Sequence, residues 1–173
     1  MITCPACGFT RNMEGADLCE KCESPLIELT KPRGGSEMAR SIHKDRIRTL
    51  SPRPPLVVPP ETKLSEVLKL MVDLKVGCVV IVEDLKAVGI FSERDALMRL
   101  NTDSSALSGR PVSEFMTPSP ETLEMDDKIA FALHKMDLGG YRHVPVTNAG
   151  NVVGVISVRD ILRYVTEHHL AEA

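Results

Sequence analysis

Two sets of residues in this sequence have the types and spacing to do chemistry. The first is Cys4-Pro5-Ala6-Cys7 with Cys19-Glu20-Lys21-Cys22, two CxxC pairs separated by eleven residues. Thiolate is a soft ligand, and four thiolates around one ion suit a tetrahedral structural zinc. Two residues between cysteines let both sulfurs turn back onto one ion, and Gly8 allows the positive φ of a tight knuckle. Iron on the same four sulfurs is the alternative. Disulfides are disfavoured in a chain with no export signal. A redox CxxC would need a βαβ context, which residues 1–30 lack. Thirty residues cannot bury a self-sufficient core, so metal ligation would supply the folding free energy.

The second set is duplicated. GIFSERD runs from Gly89 to Asp95 and GVISVRD from Gly154 to Asp160, an offset of 65 residues. At the same offset Leu64, Leu68 and Met71 correspond to Ile129, Leu133 and Met136. Such a period marks a duplicated supersecondary unit. Ser-x-x-Asp at a helix start has two explanations. It is a capping box that satisfies free backbone amides. It is also a place where a polar or anionic ligand meets a helix N-terminus beside a glycine turn. The residues alone leave both open, although Asp is shorter than the Glu or Gln usual in a capping box.

Over about residues 50–168 the chain resembles a tandem pair of CBS domains, a Bateman module; two copies of the motif in register carry the resemblance. It implies binding of an adenosyl nucleotide such as AMP or ATP. Carried over, Asp95 with Ser92 and Asp160 with Ser157 hold ribose in two clefts. Thr117, in Met-Thr-Pro, matches the position lining the adenine, with Ser51 as its first-repeat counterpart. Arg142 and His143 match a phosphate-binding basic pair, set against first-repeat positions taken as Cys78 and Val79. The second-repeat cleft is therefore the expected phosphate site. The resemblance further implies a homodimer that passes ligand state to a protein partner. The cysteine segment resembles a short zinc ribbon.

The elements that must position these residues follow from periodicity. Leu64, Val67, Leu68 and Met71, and again Ile129, Ala132, Leu133 and Met136, fall at i, i+3, i+4, i+7, so both stretches are amphipathic helices. Thr62 and Asp127 are the expected caps. Each repeat is a short extended segment, a helix, two strands and a second helix. This predicts an α+β fold of two βαββα units packed about a pseudo-two-fold axis, preceded by the metal knuckle. Pro145 removes a ladder donor, so its strand is expected at an edge or with a bulge. Cys78 in an apolar strand is expected to be an inert core thiol. His168 and His169 are expected to be solvated on the tail. The domains are residues 1–30 (cysteine segment), 31–49 (basic linker or helical arm), 50–105 and 106–173 (repeats).

Net charge is −3 and hydrophobic residues are 43%, ordinary for a soluble globular protein. Charge is uneven: residues 1–30 are net −3, whereas residues 31–50 hold six basic and two acidic side chains. An acidic knuckle opposes phosphate contact. The arm, a helix from Ser36 through Met38, Ile42 and Ile47, leaves a nucleic-acid-associated regulator as the alternative function. No apolar run approaches the ~18 residues of a membrane span, and cytoplasm is the expected location. No nucleophile with a base, phosphate-cradling glycine loop or paired carboxylates is visible, so no enzymatic activity is expected.

Overall fold

In a computed structural model, residues 3–4, 7–12, 18–24, 26, 37–99 and 107–170 are described. The chain forms two compact units, and the division runs across the repeats rather than between them. One unit comprises residues 52–124 and 143–156; the other comprises residues 1–51, 125–142 and 157–173.

The first of these holds both sheets, apart from the last residue of one strand. Strands β1 (Val57–Val58), β2 (Cys78–Glu83), β3 (Lys86–Ser92) and β4 (Thr117–Pro118) lie in that order. β1 runs parallel to β2; β3 is antiparallel to both β2 and β4. The other sheet is β5 (Leu123–Glu124), β6 (His143–Asn148) and β7 (Asn151–Ser157). Two-residue hairpins join β2 to β3 and β6 to β7. Their central residues, Asp84-Leu85 and Ala149-Gly150, all have positive φ (47°, 65°, 51° and 79°). That backbone matches the right-handed twist of the flanking strands.

Pro145 does not sit on an edge strand. β6 is the central strand of its sheet. The first repeat explains how the proline is accommodated. There Val80, the counterpart of Pro145, pairs with Val57 and donates its N–H to Leu56 O at 2.9 Å. Pro145 has no N–H to give, and parallel pairing starts one step later, at Leu123 with Val146. The cost is one rung of ladder.

Helices α2 (Leu64–Leu74) and α3 (Glu93–Arg99) belong to this unit. α2 buries Leu64, Val67 and Met71 against Val79, Ile81 and Phe91 of the sheet, with Val112 and Phe115 closing the cluster. Each fully buried aliphatic or phenyl side chain contributes ~1.5–3 kcal/mol. The helix begins at Leu64 after Lys63, which gives no side-chain cap, so Thr62 is not the cap. The free amides of Leu64 and Ser65 are met instead by the carbonyls of Arg110 and Ser108.

Beyond the cysteine knuckles, the second unit is mainly helical among its described residues. It contains α1 (Glu37–Lys44), a 3-10 turn Ile47–Leu50, α4 (Ile129–Gly139), α5 (Val158–Val165) and a π turn Thr166–Leu170. The arm is shorter than its apolar spacing suggests. α1 ends at Lys44, and Ile47 starts the 3-10 turn, fully buried. Main-chain bonds stitch the arm in place: Ile47 N–H to Asp127 O, Arg48 N–H to Met125 O and Ile129 N–H to Asp45 O. The last also satisfies the start of α4, whose cap residue is Lys128 rather than Asp127. Tyr164 donates its hydroxyl to Asp45 at 2.5 Å. His168 is exposed but not simply solvated, because its ring stacks on Tyr164 at 4.5 Å. The predicted cap Ser36, the apolar Leu100 and the inter-repeat residues 101–106 lie outside the described residues, as does the side chain of His169.

Candidate ligand site and metal centre

Both Ser-x-x-Asp motifs fold as strand-to-helix junctions, and both are closed capping boxes. Ser92 N–H and its hydroxyl donate to Asp95 Oδ2 at 2.9 and 2.6 Å. Ser157 makes the same two bonds to Asp160 Oδ2 at 2.8 and 2.7 Å. The capping explanation therefore describes one carboxylate oxygen of each aspartate. The other oxygen points elsewhere. Asp95 Oδ1 accepts from the Thr117 hydroxyl at 3.1 Å and lies 3.5 Å from Arg99. Asp160 Oδ1 accepts from Arg163 at 2.6 Å.

Thr117 thus stands beside the first repeat's aspartate, although it opens the second repeat in sequence. The cause is strand pairing: β4 aligns Thr117 with Ile90 and Pro118 with Gly89. A Cβ at Gly89 would lie 2.0 Å from Met116 Sδ, so with glycine there the Met116 thioether packs directly over the strand and any larger residue would have to displace it. Arg99, which sequence reasoning missed, donates to the carbonyls of Phe115 and Met116 and to Thr117 Oγ1. A signal for it existed. An arginine follows the aspartate within one helical turn in both repeats, as Arg99 and Arg163.

The basic pair is split. Val158 N–H donates to Arg142 O, and Glu93 N–H donates to Gly77 O, so Arg142 corresponds to Gly77 and His143 to Cys78. The expected counterparts, Cys78 and Val79, were displaced by one residue. The backbone of Arg142 is fixed at the start of α5, next to Ser157. The imidazole of His143 lies over Gly77: a Cβ there would be 2.9 Å from His143 Cε1 and Nε2 and 3.5 Å from Glu93 Oε2. His143 is therefore grouped with the helix start that bears Ser92 and Asp95. In the arm, Arg46 donates to Asp126 O and Arg48 pairs with the Asp126 carboxylate, so two of its cations are engaged with protein.

The four N-terminal cysteines converge. Their sulfurs all lie within 4.8 Å of one another, with Cys4–Cys22 and Cys7–Cys19 each at 3.7 Å. Tetrahedral ligation with bonds of ~2.3 Å requires sulfur separations of ~3.8 Å. No disulfide joins them. The two knuckles have one backbone design. Gly8 N–H and Glu23 N–H donate back to Cys4 O and Cys19 O, both residues at positive φ. Buried Asn12 bridges the knuckles, donating to Phe9 O and accepting from Glu20 N–H. Burial opposes ionisation of Cys19, but the Lys21 and Cys22 amides and neighbouring thiols outweigh it, lowering its pKa to about 6. Cys78 stands apart in the sheet, where burial and then the charge of Glu93 push its thiol up to about 12.

The CBS domain family matches twice, over residues 47–102 and 112–167, so the chain belongs to the CBS-domain family as a tandem pair. It is 34% identical over 123 residues to the CBS domain-containing protein CBSCBSPB1 of Arabidopsis thaliana, covering 65% of this chain and 23% of that one. The chain thus spans less than a quarter of the length of that relative. A solved CBS domain protein from Pyrobaculum aerophilum, complexed with AMP, superposes with a TM-score of 0.63 at 31% identity, over 75% of this chain and all of that one. The structure of CBSX2 in complex with AMP superposes with a TM-score of 0.60 at 25% identity, over 70% and 96% of the two chains.

Proposed function

We propose that this chain is a regulatory adenosyl-ligand-binding protein with no chemistry of its own, and that an adenine nucleotide binds at the Ser92–Asp95 helix start. Asp95 accepts from the ribose hydroxyls with Ser92 assisting. Thr117 and Arg99 flank the base, and His143 is the phosphate donor. The observation that carries this reading is that Asp95 Oδ1 faces the Thr117 hydroxyl, 22 residues away, instead of being spent on the cap. The exposed face of Arg99, 41% accessible, can turn aside to admit a ligand. Ser157, Asp160 and Arg142 form the second site, the one expected from sequence to hold phosphate; the phosphate contact is moved to the first because the His143 imidazole lies over Gly77. The AMP carried by two solved relatives supports the ligand class.

Calorimetry with AMP tests this. Asp95→Ala removes charge-assisted hydrogen bonds of ~1.5–3 kcal/mol each, so binding should weaken about tenfold or more. Asp160→Ala should weaken it less. If Asp95→Ala binds AMP like the parent and only melts earlier, the aspartate is a cap and nothing more.

The four-cysteine centre is read as a structural zinc site, supported by the 3.7 Å sulfur separations. One zinc per chain is expected by metal analysis of protein purified without added metal. Less than half an equivalent, or stoichiometric iron, refutes it. A homodimer would cover Leu97, Met98 and Leu162, which are 84%, 73% and 59% exposed, whereas Ile161 and Tyr164 are already buried. Sedimentation as a monomer at high micromolar concentration refutes that assembly.

A further inference from the structure

The cysteine centre is connected to the second repeat through two side chains that the proposed ligand set leaves out. Ser24 is 3% exposed, and its Oγ lies 3.1 Å from Cys22 Sγ. The same Oγ lies 2.9 Å from Nε2 of His134, in the middle of α4 and 110 residues away. The two knuckles otherwise share one backbone design, and the position of Ser24 in the second is held by Phe9 in the first. Among the described residues, the second knuckle alone carries this polar contact to a helix. Leu26, 2% exposed and packed on the cysteines, continues the chain past it.

We propose that Ser24 and His134 are positioning residues of the four-cysteine site, forming a one-way hydrogen-bond relay that fastens the metal-loaded knuckle to α4. The direction follows from donor counting. A metal-bound thiolate carries no proton, so Cys22 Sγ can only accept. Ser24 has one hydroxyl proton and must give it to the sulfur. Its oxygen then has only lone pairs for the ring, so His134 must carry its proton on Nε2. With protonated thiols either direction is open. Metal binding thus selects one polarity and makes the Ser24–Cys22 contact charge-assisted, hence stronger. By linkage, what tightens the docking on α4 when metal binds tightens the metal when the knuckle is docked. The idea rests on the metal reading above.

The test uses the full chain loaded with zinc, then with cobalt(II) as a spectroscopic probe. Outer partners of metal ligands typically influence affinity ~10–100-fold. Ser24→Ala and His134→Ala should therefore lower zinc affinity about tenfold or more in chelator competition. Both should shift the cobalt–thiolate charge-transfer band. His134→Gln, which can place an amide N–H near the position of Nε2, and Ser24→Thr, which keeps the hydroxyl, should restore affinity and band. In the zinc-loaded parent, nitrogen-15 NMR should find His134 with its proton on Nε2. Stripping zinc should speed amide exchange in Ile129–Gly139 of the parent and leave that of His134→Ala unchanged. A parent that binds less than one equivalent of zinc overturns the metal reading itself. A parent that binds one equivalent, with His134→Ala matching it in affinity and spectrum, overturns the relay alone. So does a loaded His134 protonated only on Nδ1.

Discussion

Tyr164→Phe removes one oxygen from a buried ring and leaves the rest of the packing intact. The ring is 3% exposed, and its hydroxyl gives a 2.5 Å hydrogen bond to the Asp45 carboxylate, in the segment between α1 and the 3-10 turn. A hydrogen bond to a charged group contributes ~1.5–3 kcal/mol. Asp45 is only half-buried, so water can partly replace the lost donor. The expected loss at neutral pH lies at the lower end, ~1.5 kcal/mol. The pH dependence gives a second handle. Burial pushes the Tyr164 phenol up to about 12, with the Asp45 hydrogen bond and charge adding to it. In the unfolded chain it titrates near its usual value, about 10. A raised folded value means stabilisation that is fully present below pH 10 and is lost as pH rises through 12. Urea denaturation of parent and variant at pH 7, 9, 10 and 11 should show a constant gap up to about pH 10 and a narrowing gap above it. Amide exchange in the arm should rise in the variant. Equal midpoints at pH 7, or a gap that widens above pH 10, would refute the reasoning.

Two further predictions follow from the sheet unit. Cys78, its thiol pushed up to about 12 by burial and then by Glu93, should resist alkylation at pH 8 in the native protein and react once denaturant is added; reaction in the native state at the rate of a free thiol would show the site to be open. Gly77→Ala places a Cβ 2.9 Å from the His143 imidazole, so it should destabilise by the ~1–3 kcal/mol typical of overpacking and weaken AMP binding by moving His143. Calorimetry showing parental affinity would remove His143 from the site.

What is local or periodic can be read from the order of the amino acids. The 65-residue offset, the amphipathic spacing of α2 and the Ser-x-x-Asp junctions depend on residues a few positions apart, and short-range geometry governs them. The same holds for the two cysteine knuckles, whose turns need only a glycine or a tolerated positive φ. The long-range pairings emerge in the folded chain. Sequence order puts Thr117 in the second repeat, yet the pairing of β4 with β3 brings it to Asp95. The alignment of Arg142 and His143 with Gly77 and Cys78, by contrast, was already legible in the 65-residue offset, and the carbonyls that accept from the first amides of α3 and α5 agree with it. Pro145 could be kept in a central strand because its neighbour β5 is two residues long and starts one step later. Ser24 and His134, 110 residues apart, meet through the docking of one small unit on one helix. Hydrogen-bond partners of this kind depend on which backbones pack together, and packing is set by the whole fold rather than by any window of the chain.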